Sequence, residues 1–234
     1  MPRYRIEFSK GDQVRFLSHL DLVKAFERAI RRAEIPIAFS EGFNPHPKMN
    51  FASALGVGVT SDSEYLDIEL KYTVDIKALT GSLARSLPQG IRVRAVRAVP
   101  DKAPALMSVV NRAEYRVVAG TTGVVEEDNL SGKISEFLNV PVVEIIKKTK
   151  KGFRPKNIRP GILGLKGCVT GNGVEFRIRT LTGNDGNVRP EEIITALTGQ
   201  SGLALDEKSL YIRRTGLYVE KEGETINPMD YLTG

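Results

Sequence analysis

An α+β fold made of two tandem ferredoxin-like (βαββαβ) domains is predicted by three features of the sequence. Short alternating apolar runs have the two-residue period of strands. Other stretches place apolar residues at helical spacing. Both halves of the chain present these elements in the order β-α-β-β-α-β, without any repeat at the level of residues.

The elements follow in order. "RYRIEF" sets Tyr4, Ile6 and Phe8 on one face of a strand, and "KGDQ" turns the chain. In "FLSHLDL", Ser18 suits a helix N-cap and Asp21 the reciprocal acid of a capping box. Leu22, Val23, Phe26, Ala29, Ile30 and Ala33 then recur at helical spacing, with Lys24, Arg28, Arg31 and Arg32 off that stripe. The helix stops before Pro36. "IAFSEGFNPHPKMNFASAL" is extended, interrupted by Gly42 and the prolines. "EYLDIELKY" sets Tyr65, Leu66, Ile68 and Leu70 against Glu64, Asp67 and Glu69. "DIKALTGSLARSLP" is a second helix and "IRVRAVRAV" a further strand. One sheet face then carries both helices, and the other is open to a partner or a second domain.

"PDKAPALMSVVN" reads as a linker. The predicted boundaries are 1–103 for the first domain, 104–112 for the linker, 113–222 for the second domain and 223–234 for a polar, loosely docked tail. The second domain begins with the strand "AEYRVVAG" and the helix "EEDNLSGKISEFLN", whose acidic start suits a helix N-terminus. "VVEIIKKTKKGFRPKNI" is a strand running into a basic loop, and "NGVEFRIRTL" is another strand. "RPEEIITALTG" is a helix with Pro190 in its first turn and Gly199 near its end. "LYIRRTGLYVE" closes the order as a strand or hairpin.

Composition bounds the function. With 41% hydrophobic and 26% charged residues among 234, the chain is of ordinary globular type. A net charge of +6 favours polyanionic partners, or solubility alone. The single cysteine, Cys168, rules out an internal disulfide and is expected as a small core residue in a strand. No apolar run nears the ~20 residues of a membrane span, and the first residues lack a secretory pattern, so a cytoplasmic location is expected. No H-E-x-x-H, P-loop or G-x-S-x-G occurs, and "LTGNDG" and "ALGVGVTS" are turns. Neither a metal nor a cofactor is expected.

Two segments carry candidate chemistry. In "SEGFNPHPK", Pro45 and Pro47 restrict Asn44 and His46 to extended conformations and remove two backbone donors. The imidazole of His46 is therefore mounted stiffly and outward, with Lys48 on the same side of an extended segment. His19 falls in the first turn of the first helix, where the dipole keeps it largely neutral near pH 7. His19 and His46, with Lys48 or Arg15, are candidates for metal-free acid–base cleavage of RNA. The alternative is that His19 completes the cap and His46 is a rigid recognition contact. His19, Ser40, Glu41 and Asn44 are candidates for a small-ligand pocket. The second segment, 147–160, has no acid and carries Lys147, Lys148, Lys150, Lys151, Arg154, Lys156 and Arg159. These cations suit phosphates, and Phe153 offers a stacking surface. Arg177, Arg179, Arg189, Arg213 and Arg214 extend the patch.

Residues 15–70 resemble the radical-SAM-linked (radical-SAM-associated) proteins of unknown function, through "FLSHLDL", "SEGFNPHPK" and "EYLDIEL". The matching positions are Arg15, His19, Asp21, Ser40, Glu41, Gly42, Asn44, Pro45, His46, Pro47 and Lys48. The resemblance implies an accessory protein for a separate radical-SAM enzyme in ribosomal or transfer RNA modification, and supplies no settled catalytic residues. The chain lacks the three-cysteine cluster of such an enzyme and is not that enzyme itself. The expected function is a non-catalytic RNA-recognition module with RNA and a radical-SAM enzyme as partners. A metal-free endoribonuclease and a protein–protein adaptor are the alternatives.

Overall fold

The computed structural model describes residues 1–149, 152–171 and 173–232. The chain divides into two compact units, Met1–Asn111 with Arg214–Gly234, and Arg112–Arg213. In sequence, the second unit is thus inserted into the first. The fold is α+β, and no helix among the described residues is long and apolar enough to cross a membrane.

The first unit begins with β1 (Arg3–Lys10), α1 (His19–Arg32), β2 (Met49–Phe51), β3 (Val59–Glu69), α2 (Ile76–Ser86) and β4 (Ile91–Val99). β1 lies between β4 and β3, and β2 pairs with β3, all antiparallel. Tyr4, Ile6 and Phe8 of β1 face the core, as their alternation requires. They pack with Leu22, Phe26 and Ile30 of α1 and with Leu79 and Leu83 of α2. Phe8, Phe26 and Phe51 meet edge to face, with centroids 4.8–6.1 Å apart. Ser18 caps α1 in the predicted box: its hydroxyl accepts from the Asp21 amide, and Asp21 accepts from the Ser18 amide.

The sheet face away from the helices is not left open. Arg5, fully buried, donates to both carboxylate oxygens of Asp67 at 2.8 and 3.0 Å. It also donates to the carbonyls of Pro228 and Tyr231. Arg97 binds the Met229 carbonyl and Asp230. The expected loose tail is therefore fastened across β1 and β4, because the arginines there need acceptors that the sheet does not supply. Nor is the expected linker slack: the short helix α3 (Leu106–Val109) packs against β2 and β3, with Leu106 and Val110 buried.

The second unit comprises β5 (Arg112–Thr121), α4 (Glu127–Asn139), β6 (Glu144–Thr149), β7 (Gly152–Asn157), β8 (Ile162–Thr170), β9 (Gly173–Leu181) and α5 (Pro190–Ser201). β10 (Leu205–Lys221) follows; its residues up to Arg213 belong to this unit, and the remainder pairs with β11 (Glu224–Ile226) in the first. The strand order is β10-β5-β9-β8. β6 and β7 pair only with each other among the described residues, so the sheet's second strand in sequence is β8 rather than "VVEII". The segment expected as a basic loop is a two-stranded ribbon.

β8 escapes a simple hydrophobic pattern because α4 lies close on it. A side chain at Gly167 would meet Ile134, Phe176 and Leu130 at 2.8–3.2 Å. Its neighbour Cys168 points to the opposite face and is exposed, not a core residue as expected.

Removing one partner of a buried pair leaves an uncompensated charge. Asp67→Ala is expected to destabilise the protein by about 3–5 kcal/mol in urea unfolding; a loss comparable with that of a surface ion pair would refute the structural role of Arg5.

Candidate nucleic-acid interface

The "SEGFNPHPK" segment folds as a closed loop in the first unit. The Lys48 amide donates to the Ala38 carbonyl, and the Ser40 amide to the His46 carbonyl, both at 2.8 Å. The His46 amide donates back to the Ser40 hydroxyl at 3.0 Å. Gly42 at the tip takes φ +126°, a conformation that side chains resist. Glu41, Phe43, Asn44 and the His46 side chain are exposed. Lys48 instead binds Glu69 at 3.1 Å and is not a free cation. Beside the loop runs a groove of about 730 Å³ that His46, Pro45 and Phe39 share with Lys24, Arg28 and Arg31 of α1.

His19 and Arg15 belong to a different centre. His19 sits edge-on to Phe51 with ring centroids 5.3 Å apart, and its Nδ1 is buried without a hydrogen-bond partner. Burial, reinforced by the charge of Arg214, lowers its pKa. The neutral form is thus favoured, the direction expected, but through desolvation first rather than the helix dipole. No hydrogen bond or ring contact among the described residues joins His19 to His46. The Arg15 guanidinium lies 4.6 Å from the centroid of the exposed Phe16 ring, and its carbonyl accepts from Lys10.

Lys10 is buried and donates to the Arg15 and Leu17 carbonyls, each at 2.9 Å. Burial drops its pKa to about 8, with Glu64 opposing and Arg214 assisting. Glu64 is buried as well; burial raises its pKa, and Arg214 and the Ser61 hydroxyl oppose that rise. Arg214 sits 3.0 Å from Glu64 and donates to the Ser53 hydroxyl and the Ala54 carbonyl at 3.1 Å. It was expected in a surface patch but is buried, because it answers this carboxylate. The sequence carried one signal for this centre: Lys10 continues the parity of Tyr4, Ile6 and Phe8, and Glu64 that of Leu66 and Ile68.

In the second unit, the β6–β7 ribbon places Lys147 directly opposite Arg154, and Lys148 opposite Phe153. Lys147 and Arg154 are exposed, and Phe153 retains 71% exposure. Lys150 and Lys151 lie outside the described residues, as does the side chain of Lys148. Two other expected phosphate contacts are engaged internally. Lys156 donates to the Asn187 carbonyl at 2.6 Å, and its pKa is lowered, chiefly by burial. Arg159 caps the end of α4 through the Leu138 carbonyl and also binds the Ile162 carbonyl. Arg177 and Arg189 are exposed, Arg213 is half-buried, and Arg179 lies 3.6 Å from Glu114. Among the described residues, no group of three or more His, Cys, Asp or Glu is placed to hold a metal ion.

The folded-state pKa of Lys10, about 8, lies below its ordinary 10.5. Between these values the unfolded chain binds the extra proton, so this group makes stability rise with pH across that window. Urea unfolding should show wild type gaining on Lys10→Met as pH increases from about 8 toward 10.5. A pH-independent difference would contradict this.

No curated protein matches the sequence. Among solved structures, a chain in the crystal structure of a Cbf5–Nop10–Gar1 complex aligns with TM-score 0.51 and 16% identity, over 94% of this chain and 50% of its own. A chain of the archaeal box H/ACA sRNP Nop10–Cbf5 complex gives TM-score 0.47 and 14% identity, over 90% and 46%. This chain spans about half the length of either, and at 16% identity the likeness to the first is one of fold alone. A bacterial family model, DUF2344, described as an uncharacterized protein conserved in bacteria, matches residues 3–190, and the chain belongs to that family.

Proposed function

We propose that this chain is a non-catalytic RNA-recognition module, serving a separate radical-SAM enzyme in the modification of ribosomal or transfer RNA in the cytoplasm. The observation that carries RNA binding is the facing of Lys147 and Arg154 across the β6–β7 ribbon. Like charges directly opposite on paired strands destabilise the pairing, so the arrangement suits a bound polyanion. The exposed Phe153 beside them adds a stacking face of the kind that single-stranded RNA uses. The strand orders β4-β1-β3-β2 and β10-β5-β9-β8 support reading both units on the split βαβ, ferredoxin-like plan, with the ribbon as an insertion in the second.

The radical-SAM partnership rests on the "FLSHLDL", "SEGFNPHPK" and "EYLDIEL" motifs. With one cysteine, this chain cannot supply three-thiolate ligation, so the cluster belongs to the partner. The reading of His19 as a structural rather than a catalytic residue is supported by its half-burial and its edge-on packing against Phe51.

Fluorescence titration of labelled single-stranded RNA at rising salt tests the RNA role. Lys147→Gln/Arg154→Gln should reduce the slope of log K against log salt by about 1.4, and Phe153→Ala should weaken binding roughly tenfold. A salt-independent affinity, or variants that bind as wild type does, would refute it.

A further inference from the structure

We propose, building on that RNA role, that the groove between the second half of α1 and the 39–47 loop takes one unpaired nucleotide of single-stranded RNA, its base on the loop and its phosphates on the helix. At about 730 Å³ the groove has the size of a small-ligand site.

The helix wall supplies the charge. Lys24, Arg28 and Arg31 recur at intervals of four and three residues and therefore share one stripe. Lys71 joins them in the lining, opposed by Glu27 and Glu34. None of the four cations makes an ion pair or a side-chain hydrogen bond with a described residue. Lys24 and Arg28, four apart on a helix, repel each other slightly, and Asp21 in the first turn offsets part of that repulsion. An anion in the groove relieves what remains.

The loop wall supplies the stacking surface. Phe39 keeps 46% exposure beside the rings of Pro45 and Pro47, and Ile35 and Ile37 deepen the apolar floor. The hydrogen bonds between Ser40 and His46 hold this wall in place before any ligand arrives, which lowers the entropy lost on binding. His46 stands at the rim with an exposed imidazole that can meet a base edge. Bases within a duplex are already stacked and paired, so the groove selects single strands.

The test uses the full chain with labelled oligouridylate and with an RNA duplex of equal length. Phe39→Ala should weaken oligouridylate binding roughly tenfold and leave the duplex unaffected. Arg28→Gln/Arg31→Gln, with both changes at exposed positions, should lower the salt slope for oligouridylate by about 1.4. If both groove variants bind oligouridylate as wild type does while Lys147→Gln/Arg154→Gln weakens it, the groove proposal falls and the RNA role stands. If wild type binds no RNA, both fall. Displacement of oligouridylate by poly-glutamate from wild type, but not from the groove variants, would assign the groove to an acidic peptide and overturn the proposal.

Discussion

Two carboxylates buried in one strand govern the first unit. Glu64 and Asp67 are three residues apart on β3, so they project to opposite faces of the sheet. Neither can remain charged there without a cation, and each has recruited an arginine from another part of the chain. Asp67 takes Arg5 of β1, whose remaining donors then require the Pro228 and Tyr231 carbonyls. Glu64 takes Arg214, whose other donors reach Ser53 and Ala54. The fastening of the tail and the path of the 53–54 segment both follow from satisfying these two acids.

This arrangement separates the polar groups that hold the fold from those offered to solvent. Lys10, Arg5, Arg159 and Arg214 have their hydrogen-bonding capacity turned inward. Lys24, Arg28, Arg31, Lys147 and Arg154 remain exposed. A net charge of +6 thus says less than which cations are committed internally. The exposed ones sit beside rigid apolar surfaces in each unit: prolines and Phe39 in the first, Phe153 in the second.

Much of the first unit was legible in the sequence because its signals are local. The Ser18–Asp21 box, the apolar stripe of α1 and the parity of Tyr4, Ile6 and Phe8 each operate over a few residues. The outward mounting of His46 followed from the flanking prolines. For Lys10 and Glu64 the only signal was their parity with core-facing residues, and the burial of Asp67 was not legible, since a charged residue between apolar ones is ordinarily read as part of a solvated face. For Asp67 the partner that reverses that reading, Arg5, lies 62 residues away. β8 was obscured by its glycines, of which Gly167 makes room for α4 rather than marking a turn. The groove could not be foreseen, because it joins a helix stripe to a loop that the sequence alone does not dock.

The insertion of one unit within the other has a consequence for biogenesis. Arg5 and the Pro228 carbonyl it holds are 223 residues apart in the chain. During vectorial synthesis, Asp67 finds Arg5 already translated, whereas Glu64 waits for Arg214, and the remaining donors of Arg5 wait for the Pro228 and Tyr231 carbonyls. The inserted unit draws its strand partners from residues 112–213, so all of its strands are translated before Arg214 is reached. The unit that begins the chain is therefore not the first to have all of its polar partners translated: the inserted unit's residues are complete while Arg5 still lacks the Pro228 and Tyr231 carbonyls.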